Sequence, residues 1–301
     1  MEFDSVVSVH DIKKKYKGFE LDVQSLEIPK GFATAIIGEN GAGKTTLMDI
    51  MAGVKLDYKG SIKYFGKYTD EDRENNPEVK SRIGYTATGN YYIASWNLLQ
   101  VKELLKLLFE DFNEEKYDGF IKDLGILKEG IKESSKKVGD LSDGNRMKLM
   151  LAGVLSRDTD LLIMDEPASP LDPLMRDKLC ELLRNYLNEK EGEKSIIFST
   201  HNVSDMENVT DYAVIVENGK VVERGFVDDL KEKYIYVKGD KEIECKAGKY
   251  MYSMISNSFG FEGLCLSENV DNLSGMDLTM ETPSLSQIVI SVMRENSDLY
   301  K

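Results

Sequence analysis

Residues 38–45 read Gly38-Glu39-Asn40-Gly41-Ala42-Gly43-Lys44-Thr45 and fit the spacing G-x-x-x-x-G-K-[ST]. Glycines at these steps let successive backbone N–H groups turn inward around a phosphate, and a helix opening at Lys44 adds its positive dipole end. Lys44 is spaced to reach β- and γ-phosphates and the Thr45 hydroxyl to ligate Mg²⁺, with Thr46 beside them as a further nucleotide contact. A second acidic signal is Asp165-Glu166, which ends the apolar run LLIM. A carboxylate delivered by a buried strand is the expected second partner for Mg²⁺, and Glu166 beside it is placed to hold and activate a water.

These groups need elements to position them. ATAIIG at 33–38 is a short apolar run feeding the glycine loop and then a helix, the opening of a parallel α/β sheet. LLIMD at 161–165 and SIIFST at 195–200 read as further buried strands, with a leucine-periodic helix over 174–190 between them. The first thirty residues alternate apolar and polar side chains and predict antiparallel strands, and VIVENGKVVERG at 214–225 predicts a hairpin around Asn218-Gly219. The middle is expected to be helical over 98–112, over 117–127 and from about Ser142 onward. Past residue 232, KYIYVKG predicts a strand, and PSLSQIVISVMREN a helix started by Pro283 and Ser284. The composition shift places a boundary at 232/233, leaving 233–301 as a small accessory region.

Composition narrows the partners. A net charge of −14 argues against nucleic acid, whose phosphates draw on clustered Lys and Arg. Three widely spaced cysteines, Cys180, Cys245 and Cys265, form neither a disulfide framework nor a metal cluster, which suits a reducing compartment. The opening MEFDSVVSVHD predicts no secretory signal, and no apolar run reaches the length of a membrane span. One stretch stands apart: after Arg82, residues 83–100 carry no charge and hold Tyr85, Tyr91, Tyr92 and Trp96, the only tryptophan.

Leu141-Ser142-Asp143-Gly144-Asn145, ahead of the Asp165-Glu166 strand, resembles the LSGGQ signature of the ATP-binding subunits of ABC transporters. With the phosphate loop and the acidic pair, this makes residues 1–232 similar to that family. The implied fold is an α/β P-loop NTPase: a mixed sheet core, an N-terminal antiparallel sheet and a helical subdomain over about 90–155, with a small α+β appendage. The family's signature acts on the nucleotide of a second subunit, so Ser142, Gly144 and Asn145 are expected to grip the γ-phosphate in trans. Tyr16 resembles the aromatic that stacks on adenine, with Phe19 as a rival. Ser169-Pro170-Leu171-Asp172 resembles the D-loop, and His201 the switch histidine at the γ-phosphate.

In the family the uncharged stretch carries a glutamine that senses the metal. Here IGYTAT puts Thr88 in that place, with Asn90 a second candidate. Its aromatics, Tyr91, Tyr92 and Trp96, either receive a coupling helix of the membrane subunit or pack into their own core. The resemblance implies an ATP- and Mg²⁺-dependent ATPase on the cytoplasmic face of the membrane. It would pair with a same or related subunit and drive a separate integral-membrane permease. The loop departure, the LSDGN signature and the appendage look like bacterial exporters of antibiotics and antimicrobial peptides. The competing classes are a soluble ABC ATPase of translation or DNA maintenance, and an ATP sensor that does not turn over. Single-cassette length, lack of heptads and acidity weigh against the first of these.

Overall fold

A computed structural model describes residues 3–89, 91–127 and 130–297. Its centre is a six-stranded sheet in the order 220–226, 212–217, 33–37, 195–200, 161–164, 83–86. All neighbours run parallel except the first pair, the expected hairpin, which closes through Asn218 and Gly219 with φ of 48° and 75°. The strands Ala33–Ile37, Leu161–Met164 and Ser195–Thr200 are buried along their whole length. That is why they appear in the sequence as unbroken apolar runs: both faces are covered.

One face is covered by a second, antiparallel sheet, in which Ser5–Tyr16 pairs with Phe19–Pro29 and with Lys59–Tyr64. Its inward residues, among them Val9, Ile12, Val23 and Leu26, pack against Ile36, Met48 and Val214. On the other face the helix Asp143–Leu155 contributes Met147 and Leu151, and Pro173–Asn188 contributes Leu179 and Leu183. The helices Leu98–Leu108, Glu114–Asp123 and Asp143–Leu155 share a separate cluster built on Leu98, Leu105, Tyr117, Ile121 and Leu149. The first is shorter than the leucine spacing predicts because Phe109 takes extended backbone and Asp111 turns to pair with Arg157 at 3.4 Å. The second starts early because Asn113 accepts the Lys116 N–H at 2.9 Å and caps it.

Beyond residue 233 the chain forms four strands where one was expected, in the order 251–256, 260–266, 234–240, 278–281. This sheet shares no strand pairing with the hairpin sheet among the described residues. It is joined instead through the helix Leu285–Asn296, which starts at a capping box between Ser284 and Gln287. Leu285, Ile288 and Val292 sit in the same apolar cluster as Leu179, Met206 and Ile215 of the nucleotide fold.

Candidate functional site

The glycine loop is fixed from behind. A side chain at Gly38 would lie 2.3 Å from the Val216 carbonyl, and the hairpin turn donates its Gly219 N–H to the Ala42 carbonyl at 3.0 Å. Gly41 and Gly43 take φ of 89° and 106°, the left-handed turns that bring the chain into the helix Lys44–Ala52. The Lys44 ammonium is almost fully buried and donates to the Gly38 and Glu39 carbonyls at 2.8 and 3.1 Å. Its third neighbour is Glu166, whose Oε1 is 3.4 Å away.

Asp165 and Glu166 leave the end of the strand Leu161–Met164. Asp165 is buried; its Oδ2 accepts from the Thr45 hydroxyl at 2.8 Å and its Oδ1 from the Ser199 hydroxyl. Ser199 in turn accepts the Glu166 N–H at 2.9 Å. Glu166 stands in left-handed backbone with φ of 49°, a conformation costly for a non-glycine residue and concentrated at functional sites. Its carboxylate spans two partners, Lys44 and the His201 Nδ1 at 2.8 Å. Thr45 and Asp165 thus offer adjacent hard oxygen donors of the kind Mg²⁺ prefers. No group of three or more His, Cys, Asp or Glu suited to a metal occurs among the described residues.

These groups open onto one cleft of about 750 Å³. Asn40, Gly41, Gly43, Thr46, Thr88 and His201 line it together with Lys44, Thr45, Asp165 and Glu166. Tyr16 and Phe19 both line it as well, with ring centroids 6.2 Å apart, so the two aromatic candidates form one wall. The Tyr16 hydroxyl accepts from Lys55 at 2.7 Å, and the Phe19 ring lies against Gly43. Gly38 and Ala42 act behind the wall, through their carbonyls.

Four expected nucleotide contacts are not brought to this cleft. Ser142 caps its own helix, accepting the Asn145 N–H at 3.3 Å, and Gly144 abuts the Pro170 carbonyl, 2.8 Å from where a Cβ would stand. Asp143 is exposed and pairs with Arg146 at 3.1 Å. Asp172 caps the helix Pro173–Asn188 by accepting the Met175 N–H at 3.0 Å. Neither it nor Ser142, Gly144 or Asn145 is among the cleft's lining residues. A smaller hollow of about 350 Å³ lies between the two regions, with Thr88 on its wall as well as on the cleft's. Asn90 lies outside the described residues.

Tyr91 is 52% exposed, but Tyr92 and Trp96 are half-buried against the helical cluster. Burial pushes the Tyr92 phenol up to about 12. Of the two readings of these aromatics, packing into their own core describes Tyr92 and Trp96, and only Tyr91 faces outward. Beneath it runs an apolar hollow of about 340 Å³ that also takes in Tyr85, Leu105, Leu108 and Arg157.

Two residues at the site were not singled out in the sequence. Ser199 orders both carboxylates, and its only signal was a hydroxyl late in an apolar strand. Arg176 donates to the Leu171 carbonyl at 2.9 Å and to Asp205 at 2.5 Å. It thereby ties the turn before Asp172 to the loop after His201, and no local pattern announces it.

Residues 21–169 match the ABC transporter family. The chain is 30% identical over 220 residues to the tungstate uptake system ATP-binding protein TupC of Peptoclostridium acidaminophilum, covering 72% of this chain and 97% of that one. The solved structure of an ATP binding subunit of an ABC transporter is 26% identical, with a TM-score of 0.61 over 75% of this chain and 92% of that one. The ATP-binding cassette MJ0796, solved as a dimer in a post-hydrolysis state with ADP and Pi, shares the fold. Its TM-score is 0.59 at 20% identity, over 73% of this chain and 98% of that one.

Proposed function

The chain belongs to the ABC transporter family of ATP-binding subunits, an ATPase that uses ATP with Mg²⁺, and we propose that it works as one half of a head-to-tail pair driving a separate membrane permease. The observation that carries the site assignment is Glu166, held between Lys44 and His201 beside the Thr45–Asp165 pair. In this reading Lys44 and the loop N–H groups bind the β- and γ-phosphates, and Thr45 and Asp165 hold Mg²⁺, which neutralises phosphate charge when bound. Glu166 takes a proton from the attacking water, and His201, hydrogen-bonded to it, orients the carboxylate. Tyr16 and Phe19 together receive the base.

The signature residues Ser142, Gly144 and Asn145 are then the half-site for a second copy's γ-phosphate, as their position outside their own cleft supports. The permease is proposed to dock over the hollow beneath Tyr91, with Tyr92 and Trp96 shaping its floor from inside. The division at 232/233 remains part of the proposal; the helix Val227–Lys233 leads there into the strand from Tyr234. Export of amphipathic peptides or antibiotics is the finer reading. It rests on Thr88, the LSDGN signature and the appendage, whereas TupC is named for uptake.

Phosphate release by wild type against Glu166→Gln tests the catalytic reading, and equal rates in the two would reject it. Retention of a polytopic membrane protein, lost on Tyr91→Asp with ATP binding intact, tests the partner. Retention unchanged by that charge moves the docking site elsewhere.

A further inference from the structure

The family's link between nucleotide and membrane partner uses a glutamine that this chain does not place there. Its three glutamines serve other elements: Gln100 and Gln287 close helix capping boxes, and Gln24 sits in the strand Phe19–Pro29. A different connection is present. Asp49, one helical turn beyond Thr45, lines the nucleotide cleft. Its carboxylate accepts from the Tyr85 hydroxyl at 2.7 Å. Tyr85 belongs to the edge strand Ile83–Thr86, and its side chain lines the apolar hollow on the other side. There the Tyr91 ring stands edge-on to it, with centroids 6.5 Å apart and planes at 87°.

Resting on the proposed permease-docking reading of that hollow, we propose that Tyr85 is the positioning residue that carries the state of the cleft to it. Asp49 is the cleft's end of the connection and Tyr91 its outer end. The physical cause is charge. A triphosphate entering the cleft repels the Asp49 carboxylate toward the Tyr85 hydroxyl, in a low-dielectric setting where hydrogen bonds to ions strengthen. The phenol of Tyr85 is held above its ordinary pKa by burial first and by Asp49 second, so it remains a donor throughout the working pH range. A tightened Tyr85 fixes one wall of the hollow and the ring packed on it.

The single tryptophan provides the readout, because Trp96 packs on the same helical cluster as Tyr92, beside the hollow. In the full-length chain carrying Glu166→Gln, titration with MgATP is expected to change Trp96 fluorescence. Adding Tyr85→Phe is expected to cut that change about fivefold while nucleotide affinity by calorimetry moves less than about twofold, a separation of coupling from binding. Asp49→Asn, which keeps an acceptor but removes the charge, is expected to lose the response too, and it stands in if Tyr85→Phe does not fold. An undiminished response in both variants overturns the proposal. So does bound nucleotide with no Trp96 response in the parent. Absence of nucleotide binding in the parent would instead reject the ATPase reading.

Discussion

The cleft around Lys44 and the start of the helix Asp143–Leu155 are both read as phosphate sites, yet their side chains are held on different terms. In the cleft, each charged group meets a partner from an element distant in sequence. Thr45 meets Asp165, Asp165 meets Ser199, and Glu166 meets both Lys44 and His201. At the signature the partners are local: Ser142 to Asn145 and Asp143 to Arg146. A group positioned by several elements keeps its geometry before substrate arrives, which is how electrostatic preorganisation lowers a barrier. A group held only by its own helix turn leaves its outer face free for another molecule. In the proposed head-to-tail pair, this difference gives one copy a complete binding cleft and half of a second.

The largest test of this contrast is Glu166→Gln, expected to lower kcat by about 10²- to 10⁴-fold with nucleotide affinity nearly unchanged, as loss of a general base should. Phosphate release and calorimetry on the same preparation read the two effects. An equal loss of affinity would mean the residue binds rather than activates. Next is Lys44→Ala, which removes charge-assisted bonds to phosphate and is expected to weaken MgATP binding by about 10- to 100-fold. That loss should appear at any protein concentration, because the cleft is complete in one chain.

Ser142→Ala is expected to behave differently. It should leave nucleotide binding by dilute protein intact and lower kcat about tenfold, the worth of one hydrogen bond to a charged group. Turnover per chain of the parent should also rise with protein concentration before reaching a plateau, as assembly by mass action requires. A concentration-independent rate, or a Ser142→Ala defect already present in binding, would remove the distinction between the two regions.

The difference in construction also explains what could be read from the chain. The loop, the acidic pair and His201 each end an apolar run, so burial and chemistry share one short window. The expected helix from about Ser142 is present, and Ser142 caps it within its own chain. Ser199 and Arg176 act through partners on other elements, and proximity of that sort leaves no periodicity. The strand Lys59–Tyr64 and the added strands past Met251 were missed for another reason. Only Ile62 and Tyr64 are buried in the first, and Gly, Ser and Met break the alternation in the others. Tyr92 and Trp96 show the limit of reasoning from residue type. Large amphipathic rings suit an interface or a core equally, and Tyr92 and Trp96 are half-buried against the three-helix cluster.

The smallest expected effect tests a connection between the compared regions that runs through Arg176. Pro170 abuts Gly144 at the signature, and the neighbouring Leu171 carbonyl accepts from Arg176. Arg176 also binds Asp205, four residues past the His201 that contacts Glu166. A guanidinium shared between a carbonyl and a carboxylate holds the two loops at fixed separation, which the shorter, neutral amide of glutamine cannot do. Arg176→Gln and Asp205→Asn are each expected to lower kcat about three- to tenfold through misplacement of His201, with KM for ATP unchanged. The double variant should be no slower than the slower single one, a coupling of about 0.6–1.4 kcal/mol between residues in contact. Additive losses would show that Arg176 only steadies its own helix. A rise in KM instead of a fall in kcat would place its effect on binding rather than on the placement of His201.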